Sequence, residues 1–148
     1  MCQHRFGVLN DMYLELVDEG ITDVKIMGIN GRQYNHDDEM INGRILPWAQ
    51  DTLTYLAEEY NIDDYGSENS AASACIGAGY TWNSYDDYCF APYVWDLWDV
   101  SLRDLFILDR SGVLFARINL TPNNPDPESN CGNNYQIIKD LILSARER

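Results

Sequence analysis

Positive charge is scarce in this 148-residue chain: 10 Lys and Arg and 2 His stand against 24 Asp and Glu, a formal charge of −14. A polyanion is repelled by phosphate backbones and by anionic membrane surfaces, so neither nucleic acid nor a charged bilayer is an expected partner. Long apolar runs are missing too. None approaches the roughly 18–20 residues that cross a bilayer, so no membrane span is expected. Met1 is not followed by a basic and then apolar leader. No CxxC pair occurs, and no Cys/His grouping has zinc-finger spacing, which argues against a structural zinc site. Internal repeats are absent. The formal excess of carboxylates suits solubility, cation binding or high salt, and composition does not choose among them.

What remains is ordinary for a globular protein: 45% hydrophobic and 23% charged residues, in a length that suits one domain over residues 1–148. Four cysteines fall at Cys2, Cys75, Cys89 and Cys131. Cys75 and Cys89 bracket a Gly-, Ser- and Tyr-rich stretch that cannot build a core of its own. A disulfide there is expected; it would close a loop of about 15 residues and contribute about 3 kcal/mol in the chain-entropy model. Two unpaired thiols in a reducing compartment are the alternative.

Residues 3–19 read as a helix, because Phe6, Leu9, Met12, Tyr13, Leu16 and Val17 recur at helical spacing and Gly20 is placed to stop it. Residues 23–30 read as a strand, 37–42 as a short helix, 45–48 as an apolar run broken by Pro47, and 52–60 as a further helix. From 61 to 92 the periodicity dissolves into an irregular acidic and aromatic insertion. Residues 93–100 form a short helix carrying Val94, Trp95, Leu97 and Trp98. A hairpin is signalled by 104–109 and 113–118 around Arg110-Ser111-Gly112. After a loop over 121–132, a closing helix uses Ile138, Leu141, Ile142 and Ala145 as its buried stripe. With one strand placed in front, this order becomes β-α-β-α-β-β-α, a three-layer α/β/α sandwich of thioredoxin-like type with a mixed sheet.

Several stretches resemble the N-terminal domain family of selenoprotein P, a thioredoxin-like redox domain. Cys2 stands at the spacing from Glu19-Gly20 of the second cysteine in that family's Sec-x-x-Cys or Cys-x-x-Cys motif, and Ile29-Asn30-Gly31 follows the strand. Leu46-Pro47-Trp48-Ala49-Gln50-Asp51 is similar to its Ile-Pro-Val-x-Gln segment. Val94-Trp95-Asp96-Leu97 and Asp104-Leu-Phe-Ile-Leu-Asp-Arg-Ser-Gly112 resemble its Val-Trp-x-Leu and Asp-Phe-x-Ile-Tyr-Asp-Arg-x-Gly elements. The resemblance covers most of the chain outside the insertion and the 121–132 loop, and its most specific part is the hairpin with the tryptophan helix before it.

The resemblance implies a thiol or selenol oxidoreductase that reduces peroxides or disulfides with a thiol reductant, and no bound cofactor. Cys2 would be the resolving thiol and Pro47, as a cis-proline, would shape the substrate groove. Only Met1 precedes Cys2, so the motif's first residue and its leading strand have no counterpart here. An in-frame UGA codon for selenocysteine, read as a stop, would leave such a start. A chain lacking that strand would borrow one, as in a strand-swapped homodimer. The family and the Cys75–Cys89 bridge favour secretion over the cytoplasm. A helix N-terminus favours thiolate at Cys2, and His4 and Arg5 add positive charge in the same turn.

A second expectation comes from another class: a redox-inactive binding module on the same scaffold, with the insertion as its working surface. Trp82, Tyr80 and Tyr85 are its candidate binding residues, joined by Tyr88, whereas Trp48, Trp95 and Trp98 are expected in the core or a groove. Asp63, Asp64, Glu68, Asp86 and Asp87 offer oxygen ligands for calcium, but without EF-hand spacing. His4 and His36 are expected to be solvated.

Overall fold

The computed structural model describes residues 2–31, 37–51, 59–84, 87–91 and 93–148. These form an α/β structure whose chain separates into two compact units, Met1–Gln50 together with Ser101–Arg148, and Asp51–Val100.

The first unit begins with helix α1 (Cys2–Asp18). The chain leaves α1 through a left-handed Gly20 at φ 83°. The Gly20 amide donates to the Val17 carbonyl at 2.9 Å and the Ile21 amide to Leu16 at 2.8 Å, which satisfies the last carbonyls. Strand β1 (Gly28–Asn30), helix α2 (Asp37–Ile41) and strand β2 (Trp48–Gln50) follow, and β1 and β2 pair in parallel. The expected strand over 23–30 is therefore confined to its last residues. Its ladder can extend only as far as β2, which is itself three residues long. Gly28 sits opposite Trp48 in the register, and a Cβ added there would run into the Trp48 ring. That ring in turn meets Phe6 of α1 edge-on, with centroids 4.9 Å apart. The glycine leaves the space that the indole occupies.

Past the second unit, strands β5 (Asp104–Leu108) and β6 (Leu114–Asn119) make an antiparallel hairpin with an irregularity at Ile107/Leu108. Asp109 builds its turn: its carboxylate accepts from the Ser111 amide at 2.8 Å and the Val113 amide at 3.0 Å, with Gly112 left-handed at φ 78°. Helix α6 (Asn133–Arg146) closes the chain and buries Ile138, Ile142 and Ala145 as its spacing predicts, with Leu141 half-buried. These side chains share one core with Phe6, Leu9, Met12 and Leu16 of α1, Leu46, and Ile107 of β5. Each buried Phe, Leu, Met or Ile among them contributes about 1.5–3 kcal/mol by leaving water.

Charged groups bind α6 to α1. The Lys139 ammonium, 8% exposed, lies 2.6 Å from Glu19 and 3.0 Å from Glu15. Burial lowers its pKa, but the two carboxylates prevail and leave it above the usual lysine value. The Tyr135 hydroxyl donates to Glu15 at 2.5 Å; burial, and then that carboxylate, push the phenol up.

The second unit is more regular than its sequence suggests. Within the stretch expected to be an irregular insertion lie helices α3 (Ile62–Tyr65) and α4 (Glu68–Gly77) and an antiparallel pair, β3 (Thr81–Asn83) and β4 (Tyr88–Phe90). Asn61 caps α3 by accepting from the Asp64 amide, and Ser67 caps α4 by accepting from the Ser70 amide. Helix α5 (Val94–Leu97) lacks a cap from its own Tyr93. Instead the buried Asp51 carboxylate accepts from the Val94 and Trp95 amides at 3.2 and 3.1 Å, so the first residue of the unit holds its last helix. The helix expected over 52–60 lies mostly outside the described residues.

Candidate functional site

Cys2 is the first residue of α1, a helix of 17 residues whose opening turn carries Gln3, His4 and Arg5. Two distant segments converge on that turn. Arg44 donates through Nη2 to the Gln3 carbonyl at 2.8 Å and through Nη1 to the Met40 carbonyl at 2.7 Å, so one guanidinium joins the start of α1 to the end of α2. Gln3 also donates to Glu39. From the other side comes the 123–126 loop. His4 Nε2 lies 2.5 Å from the Asp126 carboxylate, and Arg5 Nε donates to Asn124 Oδ1 at 3.4 Å. Asn124 is itself held, because Asn134 at the start of α6 donates to its carbonyl at 3.1 Å. The Glu128 amide and then His4 hold the Asp126 carboxyl below the usual aspartate range.

Arg5 is the unusual member of this turn. It is 8% exposed, and its Nη1 is buried without a hydrogen-bond acceptor among the described residues. A buried guanidinium nitrogen without an acceptor carries a desolvation cost, and an anion in its neighbourhood would lower it. Helical spacing sets position 5 one turn after position 2, on the same side of the helix. His4 is exposed, as expected, and is also held by Asp126. The sequence identified His4 and Arg5 from their closeness to Cys2. It carried no signal for Arg44, Asn124 or Asp126, which reach the turn only through the fold.

Pro47 does not take the expected form. No cis peptide bond occurs among the described residues, so the Leu46–Pro47 bond is trans. The trans bond presents the Pro47 carbonyl to the Gly28 amide at 2.9 Å and opens the parallel ladder of β1 and β2. Proline has no amide to give, and a position just before a strand is one it tolerates. Pro47 is exposed, whereas its neighbour Trp48 meets α1.

In the second unit Cys75 and Cys89 are disulfide-bonded and fully buried, with Cα atoms 5.9 Å apart. The bridge joins α4 to β4. Trp82 stands across the ladder from Cys89, and the Tyr80 amide donates to the Cys75 carbonyl at 3.1 Å. Trp82 is half-buried, and its indole Nε1 has no acceptor among the described residues. Tyr80 is half-buried and meets Tyr60 edge-on with centroids 5.6 Å apart. Tyr85, His36 and Asp86 lie outside the described residues. Trp98, expected in a core or groove, is 41% exposed. Cys131 is a free, exposed thiol just before α6.

Among the described residues no group of three or more His, Cys, Asp or Glu side chains could hold a metal ion, and no helix is long and apolar enough to cross a membrane. No protein-family model, curated protein or solved structure matches the chain.

Proposed function

We propose that the protein is a thiol oxidoreductase of thioredoxin-like architecture working through Cys2. The observation that carries this reading is the opening turn of α1: a cysteine at the first position of a long helix, followed one turn later by a buried arginine with an unsatisfied guanidinium nitrogen. Both features favour a thiolate, which is the reactive form of cysteine. The architecture is supported by the chain order of the first unit. Helix α1 and helix α6 share a core with a parallel strand pair and an antiparallel hairpin.

The chemistry is disulfide exchange. The Cys2 thiolate attacks one sulfur of a substrate disulfide; a new sulfur–sulfur bond forms, the old one breaks, and the second substrate sulfur leaves as thiolate. An external thiolate then attacks the Cys2 sulfur of the mixed disulfide and releases the remaining substrate sulfur as thiolate, and a second external thiolate attacks the external sulfur now bonded to Cys2 and releases Cys2 as thiolate. Both substrate sulfurs end reduced, and the two external thiols end joined as a disulfide. A selenocysteine or cysteine ahead of Cys2, as the resemblance implies, would make the first attack and leave Cys2 to resolve it.

The test is the pH dependence of iodoacetamide alkylation in a Cys131→Ser background, where Cys2 is the one free thiol. The expected midpoint lies below about 8.5, the ordinary cysteine value, and Arg5→Met raises it. A midpoint at or above that value, unmoved by Arg5→Met, overturns the proposal.

A further inference from the structure

The chain's negative charge is not spread evenly. The Asp51–Val100 unit holds ten of the 24 acidic residues and none of the 10 Lys and Arg or 2 His. It also holds eleven aromatic residues. The other unit pairs several of its own carboxylates with its own cations. Asp23 pairs with Arg110 and Arg146, Asp104 with Arg117, and Glu15 and Glu19 with Lys139. Two of its rings lie under its own cations as well: Arg117 sits over Phe106 and Arg148 over Phe115, each 5.0 Å from the centroid. The 51–100 unit contains the same two kinds of partner for a cation, carboxylates and aromatic faces, and supplies no cation of its own.

These partners come together at one place. Tyr60 and Tyr65 stack with centroids 6.2 Å apart and planes 12° from parallel, and Tyr80 closes edge-on against Tyr60. Tyr65 is 40% exposed, and Tyr60 and Tyr80 are half-buried. Glu59, Asp63 and Asp64, all exposed, flank these rings in the chain. Burial raises the Tyr60 phenol, and Tyr80, Glu59 and Tyr65 raise it further, as a negative neighbourhood does. The cap of α3 and the Cys75–Cys89 bridge hold the segments that carry these side chains.

We propose that the surface formed by Tyr60, Tyr65 and Tyr80 with Glu59, Asp63 and Asp64 docks a Lys- and Arg-rich segment of a partner protein. Guanidinium groups stack on tyrosine faces and donate paired hydrogen bonds to carboxylates, so a basic peptide engages both kinds of group at once. A phosphate-bearing partner is repelled by the same charge. Several such contacts along one segment add avidity that one surface ion pair lacks. This inference concerns the 51–100 unit alone and does not depend on the redox role of Cys2.

The experiment is fluorescence anisotropy with a labelled oligoarginine peptide and the full chain, at about 0.15 M salt. Binding is expected for the unaltered protein. Asp63→Asn with Asp64→Asn should weaken it about tenfold, while the control pair Asp11→Asn with Asp18→Asn, exposed on α1, changes it by less than about twofold. Tyr65→Ser should lose binding about tenfold and Tyr65→Phe should keep it, because the ring and not the hydroxyl faces the cation. Thiol titration of each variant confirms that the Cys75–Cys89 bridge is intact. Equal losses in the site and control pairs would make the effect one of net charge and overturn the proposal. So would unaltered binding by Tyr65→Ser. Displacement of the peptide by calcium with no effect of Tyr65→Ser would identify a divalent-cation site instead. Cys2 alkylation is unchanged in every one of these variants, which separates this test from that of the oxidoreductase reading.

Discussion

Asp104 is a buried carboxylate with donors on both oxygens. Its side chain is 3% exposed and lies 2.7 Å from Arg117 Nη2, while the Ser101 amide at 2.7 Å and Asn119 Nδ2 at 2.8 Å supply further donors. Burial alone would raise its pKa, but Arg117, the Ser101 amide and Asn119 outweigh that, and the group ends below the ordinary aspartate value. A carboxylate lowered in this way contributes stability that is complete above the unfolded-state value, near 4, and is lost as pH falls through the folded-state value. Asp104→Asn should therefore cost about 1–3 kcal/mol at neutral pH, measured by urea unfolding. The difference between the two proteins should shrink at about pH 3. A cost that stays the same in acid would mean that packing, not charge, accounts for it.

At the scale of elements, the two units are held by different means. In the first, α1 and α6 bury apolar stripes against the strand pairs, so these two helices follow from their apolar period. In the second, no helix among the described residues exceeds ten residues and no strand among them exceeds three. Pieces this short do not persist in isolation. What joins them is the disulfide between α4 and β4, together with the Asp51 cap on α5. Replacing Cys75 and Cys89 together by Ser should remove about 3 kcal/mol of local stability. Native-state hydrogen exchange should then show faster exchange for amides of α4, β3 and β4, with those of α6 unchanged. Unchanged exchange in β3 and β4 would show that the bridge is dispensable to them.

Over the whole molecule, charge is divided between a unit that pairs its own ions and one that cannot. The ten carboxylates of the 51–100 unit have no Lys, Arg or His of that unit beside them, and repulsion among like charges is screened by salt, with a Debye length of about 10 Å at 0.1 M. Added sodium chloride should raise the thermal midpoint of that unit, followed by the near-ultraviolet signal of its aromatic residues, because screening relieves repulsion more than it weakens pairs. A midpoint that is flat or falls with salt would show that the repulsion is already neutralised.

Much of this was legible in the sequence, and the reason is the length of the period. Helices α1 and α6 and the β5–β6 hairpin were readable because each is specified by local pattern: Phe6 to Val17, Ile138 to Ala145, and Asp109 with Gly112 at the turn. The Cys75–Cys89 bridge was readable from the composition it brackets. The two helices and strand pair between 61 and 92 were not, because elements of three to ten residues carry too few positions to establish a period. Only the tertiary structure decided that Gly28 must be bare to admit Trp48, that the Pro47 peptide is trans, and that Asn124 and Asp126 reach the first turn of α1. The sequence by itself determined the amount of negative charge and left residues 51–100 without Lys, Arg or His, but the fold decided which ions of the other unit pair. Ion pairs depend on distances across the chain, and the order of residues alone does not contain those distances.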